Sequence, residues 1–129
     1  MGTRRESRER ALELSYEMET RNLDSEIVFS ELLVTPDEYS IDLVQGVERH
    51  GAEIDALLKK HSENWTIERM PPVDRALLRI GGYELGWQKD VPTAVIIDEA
   101  VELAHRYSTK ESGRFVNALL AQLAEDLRP

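Results

Sequence analysis

The amino-acid sequence predicts an all-α protein of six helices in two groups of three. Apolar residues recur at three- and four-residue spacing over most of the chain, and alternating β-branched segments that would form strands are nearly absent. The helical pattern is interrupted at residues 64–72, which end in Pro71-Pro72 and separate the two groups. We therefore expect an N-terminal unit at residues 1–62, carrying a basic tip, and a C-terminal unit at residues 63–129, packed together as one compact body.

Capping signals mark several of the expected helix starts. Asp24 is suited to cap the second helix, while Thr35-Pro36-Asp37-Glu38 and Ser108-Thr109-Lys110-Glu111 have the pattern of a capping box and open the third and sixth. The expected bounds are about Arg4 to Met18, Ser25 to Leu33, Thr35 to Ser62, Val73 to Trp87, Pro92 to Tyr107 and Ser108 to Leu127.

Two glycines lie inside the long third helix. Gly46 and Gly51 are each unfavourable in a helix interior by about 1 kcal/mol relative to alanine. Close packing against another helix would explain their presence. In the competing interpretation the helix breaks into two, and the chain then has seven helices.

Charge is unevenly distributed along the 129 residues. The formal net charge is −9, yet residues 1–10 sum to +2, residues 11–64 to −9 and residues 65–129 to −2. An acidic chain of this kind does not coat nucleic acid over its whole surface. Any nucleic-acid contact must be local, or be supplied by a basic partner.

Composition also excludes several classes of function. Without cysteine there is no disulfide scaffold, thiolate metal site or thiol nucleophile. His50 and His61 are three helical turns apart and cannot share a metal, and no set of nucleophile, base and oxyanion donors is visible. No apolar run approaches the ~20 residues of a membrane helix. We expect a soluble cytoplasmic protein that is not an enzyme and needs no cofactor or metal.

The arginines of the first helix are the main candidate site. Cations in a first helical turn oppose the helix dipole, so stability alone would favour acids there. Arg4 and Arg8 project with the apolar stripe, and Arg5 aligns with Tyr16 three turns on. Guanidinium groups with an aromatic ring can hold phosphates and stack a base. The alternative is a solvated arm, including Arg10, that forms ordinary ion pairs with neighbouring glutamates.

Further candidates each have a structural alternative. Glu84 falls in the apolar arc of the fourth helix and is expected to pair with an arginine such as Arg69, Arg75 or Arg79. Asp74 and Arg75 are expected off that arc, facing another protein or serving helix-start electrostatics. Asp98, Glu99 and Glu102 are read as a solvated helix face. The start of the sixth helix, with Lys110, Ser112 and Arg114, could bind phosphate or be simply a capped helix.

These segments together resemble the NusB family of bacterial transcription antitermination factors. The resemblance covers nearly the whole chain. Its most specific parts are residues 8–16 (RERALELSY), 65–79 (WTIERMPPVDRALLR), 83–85 (YEL), Val91-Pro92, 97–104 (IDEAVELA) and 115–117 (FVN). Two positions differ mildly from the family pattern, where Asp98 replaces the usual asparagine and Ala118 the usual glycine.

The resemblance implies two packed three-helix bundles and a non-enzymatic role. Family members bind the boxA segment of nascent ribosomal RNA together with the basic ribosomal protein NusE, and join other Nus factors on RNA polymerase. By matching position, the RNA-facing residues would be Arg4, Arg5, Arg8, Tyr16, Glu111, Ser112 and Arg114, and the NusE-facing residue Asp74. Some members form homodimers that mask the arginine site.

Two other functions stay open on the sequence. The first is a helical protein-interaction or homodimerisation module with no RNA binding of its own. The second is the detached RNA-binding domain of a ribosomal RNA methyltransferase, although no glycine-rich, cofactor-binding continuation is present. The sequence pattern is compatible with both a monomer and a homodimer.

Overall fold

The computed structural model describes residues 3–62 and 66–129, and these residues are helical or irregular, with no strand among them. The predicted all-α class is therefore confirmed. Six α-helices and one short 3-10 helix follow in chain order: α1 (Arg4–Arg21), α2 (Ser25–Ser30), α3 (Glu38–His61), the 3-10 turn (Ile67–Arg69), α4 (Pro72–Trp87), α5 (Thr93–Tyr107) and α6 (Ser112–Leu127).

The core is continuous between the two halves of the sequence. Helix α4 packs against α1 and α3 from the first half of the chain and against α5 and α6 from the second. Buried leucines from both halves, such as Leu14, Leu43, Leu78 and Leu120, belong to one apolar cluster. The boundary that we predict between residues 62 and 63 borders residues 63–65, which lie outside the described residues. The division into two bundles therefore stays a prediction.

The long helix α3 is unbroken, so the interpretation with a break at its glycines is wrong. Gly46 permits close packing, because a Cβ atom at this position would lie 2.2 Å from the Tyr83 ring on α4. Gly51 has no such role, since a Cβ there would meet nothing within 4 Å. Packing thus explains the first glycine and leaves the second unexplained.

Four predicted helix ends are wrong by three or four residues, and the first of them is the end of α1, which lies at Arg21 rather than Met18. Helix α2 ends at Ser30 rather than Leu33. The cap of α3 is Asp37, whose side chain accepts from the Ser40 amide and also from the Ser7 hydroxyl at 2.6 Å. Helix α6 begins at Ser112, so the expected box from residue 108 to residue 111 does not open it. For α3, the hydrogen bond from Ser7 of α1 favours Asp37 among several plausible caps.

No helix in the described part of the chain is both long enough and apolar enough to cross a bilayer.

Candidate nucleic-acid interface

The tip of the molecule is the start of α1. A capping box that sequence analysis missed fixes this end: the Thr3 hydroxyl accepts from the Glu6 amide, and the Glu6 carboxylate accepts from the Thr3 amide. The signal was present, as a threonine followed three residues later by a glutamate. The box sets Arg4 and Arg5 in the first turn, where both residues are exposed.

Arg8 is buried, although the resemblance implied an RNA-facing residue. It donates through Nε and Nη2 to the two carboxylate oxygens of Glu84 on α4, at 2.9 and 2.7 Å. The two side chains are only 4% and 1% exposed. The expectation that Glu84 pairs with an arginine is confirmed, but its partner is Arg8 and not Arg69, Arg75 or Arg79. In this chain Arg8 joins α1 to α4, and its guanidinium is buried.

Tyr39, in the first turn of α3, completes this buried cluster. Its hydroxyl donates to Glu84 Oε2 at 2.6 Å, and burial together with that hydrogen bond raises the pKa of Tyr39 above its ordinary value. The Arg4 guanidinium lies over the Tyr39 ring, 3.9 Å from its centre. Sequence analysis did not single out Tyr39, whose place beside α1 depends on how the helices pack. The ring holds Arg4 at the surface of the tip.

Arg5 also forms an ion pair, and its side chain is far more exposed than that of Arg8. Its Nη2 donates to Glu99 Oε2 on α5 at 2.7 Å, and its Nε lies 3.1 Å from both oxygens of that carboxylate. The Arg5 side chain is 48% exposed and that of Glu99 is 15% exposed. The hydrogen bond from Arg5 lowers the pKa of Glu99. Glu99 is thus an ion-pair partner, and the expectation that it belongs to a solvated face is wrong.

Tyr16 is also exposed, with 45% of its surface accessible. It lines a depression of about 460 Å³ between α1, α3 and α4, together with Ser15, Glu19, Val44 and Arg79. Arg5 is not among the residues of that depression; it faces α5 instead. Although Arg5 and Tyr16 project in nearly the same direction from α1, their surroundings are therefore different.

The second predicted region lies at the start of α6. Ser112 is buried, and its hydroxyl donates to Asp74 Oδ2 at 2.8 Å, while the Ser108 hydroxyl donates to the other carboxylate oxygen. Asp74 is also buried, so the expectation that it lies off the buried face of α4 is wrong. Glu111 and Arg114 are exposed beside this pair. The structure brings together Asp74 and Ser112, two residues to which the resemblance implied different partners.

Comparison with known proteins decides the family. The model of the NusB family matches residues 5–125 of this chain. The chain belongs to the NusB family. A relative in Saccharopolyspora erythraea named transcription antitermination protein NusB is 48% identical over 130 residues, which cover 96% of this chain and 88% of the relative.

Solved structures agree with this assignment. NusB of T. maritima superposes with a TM-score of 0.89 at 34% identity, covering 99% of this chain and 94% of that one. A crystal structure of the antitermination factors NusB and NusE in complex with double-stranded RNA has a TM-score of 0.79 at 28% identity, covering 95% and 96% of the two chains. The chain is accordingly a transcription antitermination factor of the NusB type and not an enzyme.

Proposed function

We propose that this protein binds the boxA segment of nascent ribosomal RNA, together with a basic ribosomal protein of the NusE kind, and so suppresses premature termination. The observation that carries the proposal is the exposed pair of cations, Arg4 and Arg5, at a tip that is anchored to the core. The relative solved with NusE and double-stranded RNA supports the same pairing of partners. Such a role places the protein in the cytoplasm, on RNA polymerase with other Nus factors.

Anchoring of the tip favours binding, because cations held in place lose less conformational freedom when they meet phosphate. Arg4 is held over the ring of Tyr39, with its guanidinium 3.9 Å from the ring centre. Helix α1 itself is fixed to α4 through the buried Arg8. We assign phosphate contacts to Arg4 and Arg5, and a positioning role to Arg8.

The acidic remainder of the chain fits a basic partner. Residues 11–64 sum to −9, so a cationic ribosomal protein gains from complementary charge there. RNA alone is repelled by the same surface. The partner therefore supplies a large share of the RNA affinity, and binding of RNA and partner is cooperative.

Tyr16, Glu111 and Arg114 complete the proposed RNA surface. Tyr16 offers an exposed ring on which a base can stack. Arg114 is an exposed cation in the first turn of α6, with Glu111 just before that helix. The buried hydrogen bond between Ser112 and Asp74 supports this region from the protein interior. These two side chains must become exposed before they can contact RNA or NusE directly.

The test is a titration of boxA RNA with and without the basic partner, in the parent and in the double variant Arg4→Ala/Arg5→Ala. We expect a loss of at least about ten-fold, since each charge-assisted contact contributes roughly 1.5–3 kcal/mol. The dependence of log K on log salt should become shallower by about 1.4, at ~0.7 per phosphate contact to single-stranded RNA. Arg10→Ala/Arg49→Ala removes the same charge from α1 and α3 away from the first turn and serves as the control.

Equal RNA affinity in parent and tip variant would refute this assignment of the RNA site. Light scattering on the same samples tests the alternative of a homodimerisation module. A stable dimer that keeps the same mass when RNA is added, and that binds no RNA, would favour that alternative. A one-to-one complex with RNA and partner supports the proposal.

A further inference from the structure

A carboxylate pairs with Arg5, one of the two cations that we assign to RNA phosphate. Arg5 directs Nε and Nη2 at the two oxygens of Glu99, in the two-point geometry with which arginine also binds a phosphate. The pair links residues 94 positions apart in the sequence, so its geometry is a product of the fold. A phosphate that approaches the Nε/Nη2 edge of the Arg5 guanidinium therefore competes with Glu99 for the same two donors.

We propose that Glu99 is an affinity-determining residue that competes with RNA phosphate for Arg5. The inference rests on the proposed function, and it adds a residue whose effect on RNA binding is opposite in sign to that of the arginines. In the free protein Arg5 is held by Glu99. On binding, the transcript takes over the guanidinium, and the cost of breaking the ion pair reduces the net affinity.

Glu99 is not required to neutralise the buried arginine. Arg8 already donates to both oxygens of Glu84, and its closest approach to Glu99 is 3.7 Å, between Nη1 and Oε1. Glu99 is also more exposed than Glu84, so water and the Arg8 guanidinium can accommodate its charge when Arg5 leaves. The exchange of partners by Arg5 therefore leaves the buried cluster intact.

The surroundings of Arg5 strengthen the competition. Glu9 on α1 and Glu102 on α5 add further negative charge around its guanidinium. A single phosphate must displace one carboxylate while it is repelled by two others, which selects for a ligand that brings several phosphates or is held by a second protein. The same geometry accounts for the dependence of RNA binding on a basic partner that we propose above.

The decisive variant is Glu99→Gln, which keeps the shape of the side chain and removes its charge. We expect boxA RNA to bind about five-fold more tightly, the size expected for release of a partly exposed ion pair of ~1 kcal/mol. Asp98→Asn is the matched control, because Asp98 is an exposed carboxylate on the same helix and is not among the charges that act on Arg5. We expect its effect on RNA affinity to stay below two-fold, roughly the lower limit for an exposed charge.

A further variant links the gain to Arg5. In the background of Arg5→Ala, Glu99→Gln should change RNA affinity much less than it does in the parent. If Glu99→Gln weakens binding, Glu99 positions Arg5 for RNA and the inference is wrong. An equal gain from Asp98→Asn, or an undiminished gain without Arg5, would also overturn it. The proposed function fails separately, when Arg4→Ala/Arg5→Ala binds RNA as well as the parent does.

Discussion

Replacement of Arg8 by methionine tests whether this arginine serves the fold rather than the RNA. The substitution keeps an unbranched side chain and removes the guanidinium, so Glu84 loses both hydrogen bonds from Arg8 while the one from Tyr39 remains. Glu84 is only 1% exposed, and its charge is left without the cation that balances it. Breaking a buried pair in this way costs about 3–5 kcal/mol of unfolding free energy.

Such a loss is large for a single domain of this size. It corresponds to a fall of roughly 15 °C in the midpoint of thermal unfolding. Urea denaturation followed by circular dichroism gives the free energy itself, for Arg8→Met, Glu84→Gln and the two combined. The combined variant buries no charge from either residue and retains an acceptor for Tyr39. We therefore expect it to be more stable than Arg8→Met alone by at least about 1 kcal/mol.

Two results would refute this reasoning. The first is a cost below about 1 kcal/mol for Arg8→Met, which is the size of an exposed ion pair and would place the pair in water. The second is additivity, in which the combined variant loses the sum of the two single losses within about 0.5 kcal/mol. Arg4→Ala/Arg5→Ala, whose side chains are exposed, should leave the unfolding free energy within about 1 kcal/mol of the parent.

Three smaller predictions use the same unfolding assay. Gly46→Ala should cost about 1–3 kcal/mol, because the new methyl group overlaps the Tyr83 ring, whereas Gly51→Ala, which enters open space, should gain up to about 1 kcal/mol. A hydrogen bond from an α4 arginine lowers the pKa of the Glu19 carboxylate below its ordinary 4.5. The contribution of this ion pair to the unfolding free energy is therefore complete above pH 4.5 and is lost as the pH falls through the lowered pKa. The variant Glu19→Gln should lose less stability than the parent as the pH falls towards 3. Ser112→Ala should cost about 2 kcal/mol by removing a hydrogen bond to a buried carboxylate.

The helices of this fold were predictable because apolar spacing alone places them. The first and last residues of each helix were less predictable, since several polar residues near a helix start can serve as its cap. Asp37 rather than Thr35 caps α3 because Ser7 of α1 also donates to its carboxylate. That contact spans 30 residues and depends on the packing of α1 against α3. Capping rules applied to a local window do not include it.

The candidate site shows the same division between local and distant information. Arg8 and Glu84 each lie on the apolar arc of a helix, and this placement is visible in the sequence. Two opposite charges on buried faces predict a pair, yet a search among the arginines close to Glu84 in the sequence finds the wrong partner. The ion pair of Arg5 with Glu99 is harder to predict, since both residues also fit ordinary exposed positions. Only the fold, which brings the first turn of α1 beside Glu99 on α5, distinguishes them.

Burial decides what each of the two carboxylates at the tip does. Glu84 is sealed beneath Tyr39 and Arg8, so its charge contributes to stability and cannot be exchanged for that of a ligand. Glu99 lies nearer the solvent, where a phosphate can replace it as the partner of Arg5. Loss of charge at Glu84 should therefore change the unfolding free energy, and loss of charge at Glu99 should change the affinity for RNA. One tip thus keeps a fixed cation that holds α1 to the core and, in our proposal, an exchangeable cation that binds the transcript.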